Sequence, residues 1–213
     1  MTIHSMLCPP GLGNNPNRDL QSIGFVTIHC TGNYNATAGA RNHALYQYRG
    51  SGGGAVSWHY TVDTDEIWQS FLDTQACWHA GDGTAGPGNS SSIGIEIAVS
   101  SRTGFPQACR NAAWLTAELL TRYGLTADRV VQHNRWNGKN CPLELRNGTW
   151  GVAWGDFLDM VREYVTPVPL TRDDYRAVIQ GKCHFSDPEG VWRVLDTHPY
   201  ADDLYRKLAQ AMQ

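Results

Sequence analysis

Apolar and polar positions change period several times along the chain, and each change marks an element. From Gly24 to Cys30 the residues are almost continuously apolar, the pattern of a strand covered on both faces of a sheet. Ser91 to Val99 alternates instead, with Ile93, Ile95 and Ile97 on one face and Glu96 on the other. Trp58 to Asp63 reads as a strand and Glu66 to Gln69 as its hairpin partner, with Thr64-Asp65 as the turn. Arg129 to Gln132 is a further short strand. Helical composition covers Ala36 to Tyr48, with Ala44, Leu45 and Tyr48 on one face, then Ala108 to Tyr123 and Gly155 to Val165. Strands alternating with helices predict an α/β fold, a mixed central β-sheet flanked by helices.

The ends of the chain read differently. Residues 1–22 carry Pro9-Pro10-Gly11 and Asn14-Asn15-Pro16-Asn17, which predict an extended arm lying on the domain. Thr166-Pro167-Val168-Pro169 interrupts the pattern as a linker, dividing a first domain, 1–166, from a C-terminal module, 167–213. That module reads as three short helical segments. Thr171 with Asp174 resembles a capping box, and Asp187-Pro188 pairs an N-cap with proline at the first helical position. Pro199 opens the last segment, where Tyr200, Leu204, Leu208 and Met212 form an i, i+4 stripe. Such a tail is too short to bury a core unaided, so it docks on the first domain, self-associates or binds something else.

Composition narrows the chemistry. A 41% hydrophobic and 17% charged chain is an ordinary globular protein. A net charge of −3 argues against nucleic acid, which demands clustered Lys and Arg. Eight Trp and nine Tyr suit the packing of sugar rings or peptides. The first ten residues lack a basic region followed by an apolar stretch, so no secretory signal is expected, and no run is long enough to insert in a membrane. The six cysteines are therefore expected as thiols or metal ligands, with Cys30, Cys77, Cys109 and Cys183 as small core residues. Arg49-Gly50-Ser51-Gly52-Gly53-Gly54 lacks the Gly-Lys-Ser/Thr ending of a phosphate loop and reads as a surface loop.

One constellation carries catalytic chemistry. His29 ends the first long strand, and His133 and Cys141 lie eight residues apart in a loop rich in Gly and Asn. Two imidazoles and a thiolate suit Zn²⁺ and leave its fourth tetrahedral position open for water. Zinc with an open position acidifies bound water and polarises carbonyls.

Five motifs then occur in order: Ile28-His29-Cys30-Thr31-Gly32-Asn33, Ser57-Trp58-His59-Tyr60-Thr61-Val62-Asp63, Trp78-His79-Ala80-Gly81-Asp82-Gly83, Ser92-Ile93-Gly94-Ile95-Glu96-Ile97, and His133 followed by Lys139-Asn140-Cys141-Pro142. The series resembles the zinc-dependent N-acetylmuramoyl-L-alanine amidases of the phage-lysozyme and peptidoglycan-recognition-protein type, in their endolysin and prophage branch. It covers residues 20 to 165 and leaves the tail aside.

The resemblance implies the peptidoglycan-recognition-protein-like fold, with His29, His133 and Cys141 as zinc ligands, Glu96 as general base and Lys139 as oxyanion stabiliser. It implies a substrate-facing wall at His79 and Gly81, with Trp58 also toward substrate. Trp58 stands where the phage-lysozyme pattern has tyrosine, which increases the weight on Glu96. His59 and Tyr60 are expected to pack beneath the site on opposite sides of their strand, and His43, His184 and His198 have no assigned role. The implied reaction is hydrolysis of the amide joining N-acetylmuramic acid to L-alanine in bacterial peptidoglycan. It would act on the wall after holin-type release, with the C-terminal helices serving wall binding or homo-oligomer formation. Two alternatives stand beside it: a non-catalytic peptidoglycan recognition module, and a cytosolic amidase of anhydro-muropeptide fragments.

Overall fold

The computed structural model describes residues 1–165 and 187–197, together with positions 172, 176, 179, 180, 201, 204, 205 and 207. The chain divides into two compact units, 1–165 and 166–213. Thr171, Asp174, Cys183, His184, His198, Pro199, Tyr200, Leu208 and Met212 lie outside the described residues.

The first unit is built on a six-stranded mixed sheet of order β1-β4-β3-β5-β2-β6. Its strands are β1 (Ile3–Ser5), β2 (Phe25–Cys30), β3 (Tyr60–Val62), β4 (Ile67–Gln69), β5 (Ser92–Ile97) and β6 (Val130–Gln132). β3, β5, β2 and β6 run parallel, while β4 is antiparallel to β3 through the expected hairpin. The N-terminal arm does more than lie on the domain, because β1 joins the edge of the sheet parallel to β4.

Alternation along β2 and β5 sorts the two faces. Val26, Ile28 and Cys30, with Ile93, Ile95 and Ile97, join one buried cluster with Ala108, Ala112, Leu115 and Leu119 of α3 (Phe105–Tyr123) and Phe157 and Val161 of α6 (Trp154–Val165). α3 begins three residues earlier than the pattern predicts, with Pro106 in its first turn. The opposite face carries Thr27 and His29 of β2, and Ser92, Gly94 and Glu96 of β5. Helix α1 (Ala40–Tyr48) packs on β3 and β4. Its buried stripe is Ala40, His43, Ala44 and Gln47, not the Ala44, Leu45 and Tyr48 face expected; Tyr48 is exposed. The polar His43 and Gln47 are tolerated there because His43 Nδ1 donates to the Gly39 carbonyl and Gln47 Oε1 accepts from the Trp58 amide.

Three short helices have no counterpart in the periodicity: α2 (Pro87–Ser90), α4 (Asn134–Asn137) and α5 (Leu143–Asn147). In the second unit, α7 (Pro188–Asp196) starts at Asp187, whose side chain accepts from the Gly190 amide. Ile179, Trp192 and Tyr205 there gather into a small apolar cluster of their own.

Candidate metal centre and active-site groove

Parallel strands deliver their side chains to one edge of the sheet. His29 and Glu96 are register partners near the carboxyl ends of β2 and β5 and share a face. His133 follows β6 directly, and its amide donates to the Ile28 carbonyl. Crevices at the carboxyl ends of parallel strands are where α/β sheets bind ligands. Cys141 returns to the same place because its carbonyl accepts from the Asn134 amide, closing the loop behind His133.

Ligand atoms of His29, His133 and Cys141 all lie within 4.8 Å of one another, and all three residues are buried. His29 Nδ1 is 3.8 Å from Cys141 Sγ and 3.9 Å from a Glu96 carboxylate oxygen. The far nitrogens are engaged elsewhere: His29 Nε2 lies 3.1 Å from His79 Nδ1, and His133 Nε2 donates to the Ala80 carbonyl at 3.1 Å. His133 Nδ1 is buried and has no hydrogen-bond partner in the protein. An orphaned buried nitrogen is costly unless something else satisfies it. A cation between the two Nδ1 atoms and the Cys141 sulfur would do so, and the donor set fits zinc.

Electrostatics agree. Burial lowers His29 well below the usual imidazole range and pushes His133 down to about 4, helped by the Lys139 charge. Both rings are therefore neutral and able to act as ligands near pH 7. Burial raises the Cys141 thiol to about 12, and a metal is what deprotonates such a sulfur. Burial also raises Glu96 to about 8, with Lys139 opposing the shift. One Glu96 oxygen is buried without a partner.

Two adjoining hollows of about 480 and 490 Å³ meet at Val56, Glu96 and Lys139. The second is lined by His29, His79, Gly81, His133 and Asn137. The first carries Trp58 and a neutral wall that includes Asn33, Asn35, Thr37 and Asn42. His43, left without a role by the sequence, borders that same hollow. Tyr34, on the loop that forms this wall, donates to the buried Glu144 carboxylate at 2.6 Å. That bond pushes the Tyr34 phenol up to about 12.

The residues singled out around the groove can each be located. His79 borders the groove, yet both of its ring nitrogens are bonded within the protein: Nδ1 faces His29 and Nε2 donates to the Ser92 carbonyl. His59 is fully buried behind it, accepting from the Gly94 amide and donating to the Gln75 carbonyl. Tyr60 points to the other face, where Asp73 accepts from it. Trp58 lines the groove with its indole N–H donated to Thr61 at 2.7 Å. Asn89 and the Ala80 carbonyl, which brace the histidines, were missed; an Asn in a Gly-rich loop carries no periodic signal.

The N-acetylmuramoyl-L-alanine amidase family model matches residues 19–144. The chain belongs to that family. Among named members it is similar to the N-acetylmuramoyl-L-alanine amidase CwlH of Bacillus subtilis (strain 168), 35% identical over 175 residues, which are 82% of this chain and 67% of CwlH. The amidase XlyA of the same organism is 39% identical over 142 residues, 67% of this chain and 46% of XlyA. The chain therefore spans about half the length of XlyA. The solved structure of the catalytic domain of XlyA superposes with a TM-score of 0.69 at 35% identity, covering 76% of this chain and 99% of that domain. The mixed sheet with flanking helices expected from the sequence is thus the fold shared with that domain.

Proposed function

We propose that the chain is an endolysin-type peptidoglycan hydrolase that cleaves the amide between the lactyl group of N-acetylmuramic acid and L-alanine of the stem peptide. The observation that carries this reading is the convergence of ligand atoms of His29, His133 and Cys141 beside Glu96, in a groove that also takes Lys139. A recognition module that has lost catalysis has no need of a complete ligand set. Zn²⁺ held by the three residues would supply a Lewis acid for the amide carbonyl and acidify water in the groove.

Glu96 then has two tasks. Its carboxylate takes the proton from the attacking water and afterwards returns it to the departing alanine nitrogen. Its place suits it to this, since Glu96 borders both hollows and one of its oxygens is buried with no hydrogen-bond partner in the protein. Lys139 places a cation beside the oxyanion that develops at the carbonyl. The uncharged Asn33, Asn35 and Thr37 wall and the Trp58 face offer hydrogen bonds and a flat apolar surface, as sugar and peptide recognition requires. The protein works on the cell wall, reached by holin-type release. Residues 167–213 would serve as a wall-binding or self-associating module, which sedimentation of the full chain with and without sacculi tests.

Replacing Glu96 with glutamine tests the assignment. The variant is expected to keep one zinc per chain by metal analysis and to lose about 10²- to 10⁴-fold in turnover of purified peptidoglycan. Near-normal turnover would remove Glu96 from the mechanism.

A further inference from the structure

We infer that the segment His79-Ala80, clamped by the side chain of Asn89, is a positioning device that fixes the tautomer and ring orientation of both histidine ligands. It rests on the metal-site reading above. His79 and Asn89 would thereby govern metal affinity through His29 and His133 rather than through substrate.

The proton placement follows from the acceptors. The Ser92 carbonyl can only accept, so His79 Nε2, 3.3 Å away, carries the proton. His79 is buried and pairs with no carboxylate among the described residues, so a charged ring would be uncompensated; the neutral ring, with its proton on Nε2, leaves Nδ1 a bare acceptor. His29 Nε2, 3.1 Å from that atom, must therefore be the donor, which leaves His29 Nδ1 bare toward Cys141. The next residue does the same for the second ligand: the Ala80 carbonyl obliges His133 Nε2 to hold its proton and frees Nδ1. Two adjacent residues set both rings, whose ligand atoms lie within 4.8 Å of one another and of the Cys141 sulfur.

The segment itself is held from three sides. Asn89, which is 2% exposed, accepts with one oxygen from the His79 amide at 2.9 Å and the Ala80 amide at 2.8 Å. Its amide nitrogen donates to the Gly83 carbonyl, and Asp82 accepts from the backbone amides of Gly88 and Asn89. A Cβ at Gly94 would sit 2.9 Å from the His79 ring, and one at Gly88 would sit 2.3 Å from the Ala80 methyl. The segment therefore packs directly against the backbone of β5 and α2. Groups that orient metal-bound histidines in this way commonly govern about 10- to 100-fold in metal affinity.

The test is zinc competition against a chelating dye, with the full chain and five proteins: wild type, His79→Phe, His79→Asn, Asn89→Leu and Asn89→Asp. Phenylalanine and leucine remove the acceptors and should weaken zinc binding by about 10- to 100-fold. Asn at 79 keeps an oxygen near the Nδ1 position and Asp at 89 keeps the clamping oxygen, so both should retain most of the affinity. A purely structural role would lower the melting temperature of the EDTA-treated protein and leave zinc affinity unmoved, which would overturn the inference. If the Phe and Leu variants do not fold, long-range ¹H–¹⁵N correlation on the zinc-loaded wild type decides. Protons on Nε2 of both His29 and His133 support the device, and zinc on either Nε2 overturns it. A wild type that binds no zinc overturns the metal-site reading together with this inference, whereas a zinc-binding wild type with unaffected variants overturns the inference alone.

Discussion

Replacing Gly94 with alanine measures how little slack lies behind His29. Gly94 is in register with Thr27 of β2, and its amide donates to His59 Nδ1 at 2.9 Å. An added Cβ falls 2.9 Å from Cγ and Nδ1 of His79 and 3.1 Å from Cδ2. Carbon atoms rest at about 3.5–4.0 Å, so ring or strand must give by roughly 0.6 Å or more. The ring cannot turn away without breaking its bonds to His29 and Ser92. Overpacking of this kind costs about 1–3 kcal/mol. Gly94 is not in the left-handed region, so alanine also recovers about 0.4–1 kcal/mol through the unfolded chain. The net expectation is a loss of about 1–2 kcal/mol in urea unfolding of the EDTA-treated protein, with zinc affinity down by about tenfold or more. A variant as stable as wild type that binds zinc equally well would show that His79 has room to move, and would refute the close-packing argument.

Two further outcomes are expected. Cys141→Ser replaces the soft sulfur by a weak hydroxyl donor and should lower zinc content on metal analysis; unchanged stoichiometry would contradict the ligand assignment. His59 is fully buried and neutral, held down to about 4 by burial against an ordinary value of 6.5. The unfolded chain takes up a proton at this residue between pH 6.5 and 4 while the folded chain does not, so its contribution is present above that window and lost as pH falls. The stability difference between wild type and His59→Gln should therefore narrow by about 3 kcal/mol across the window, and a constant difference would contradict the neutral assignment.

Much of this architecture is visible before folding, and what is missing has a physical pattern. β2 and β5 are legible because their apolar residues are buried on at least one full face, which the period records. β1 is not, since a strand of three residues, Ile3-His4-Ser5, is too short to display a period. The stripe on α1 departs from the apolar pattern because polar side chains, His43 and Gln47, occupy buried positions that local hydrogen bonds make tolerable. At the site, residue types point to His29, His133, Cys141 and Glu96, but the pairing of His29 with Glu96 is a matter of strand register, which is nonlocal. The bracing by Asn89 and the Ala80 carbonyl is further out of reach. A backbone carbonyl has no signature in sequence, and an amide side chain becomes a clamp only where two backbone amides converge on it.

The central claim is that a metal-dependent site cuts one particular bond. Mass spectrometry of purified peptidoglycan digested by the zinc-loaded full chain, beside an EDTA-treated control, tests it most directly. The account predicts free stem peptides beginning with L-alanine alongside intact glycan strands, released only with metal. New reducing sugar ends, cuts within the peptides, or release undiminished by EDTA would contradict it.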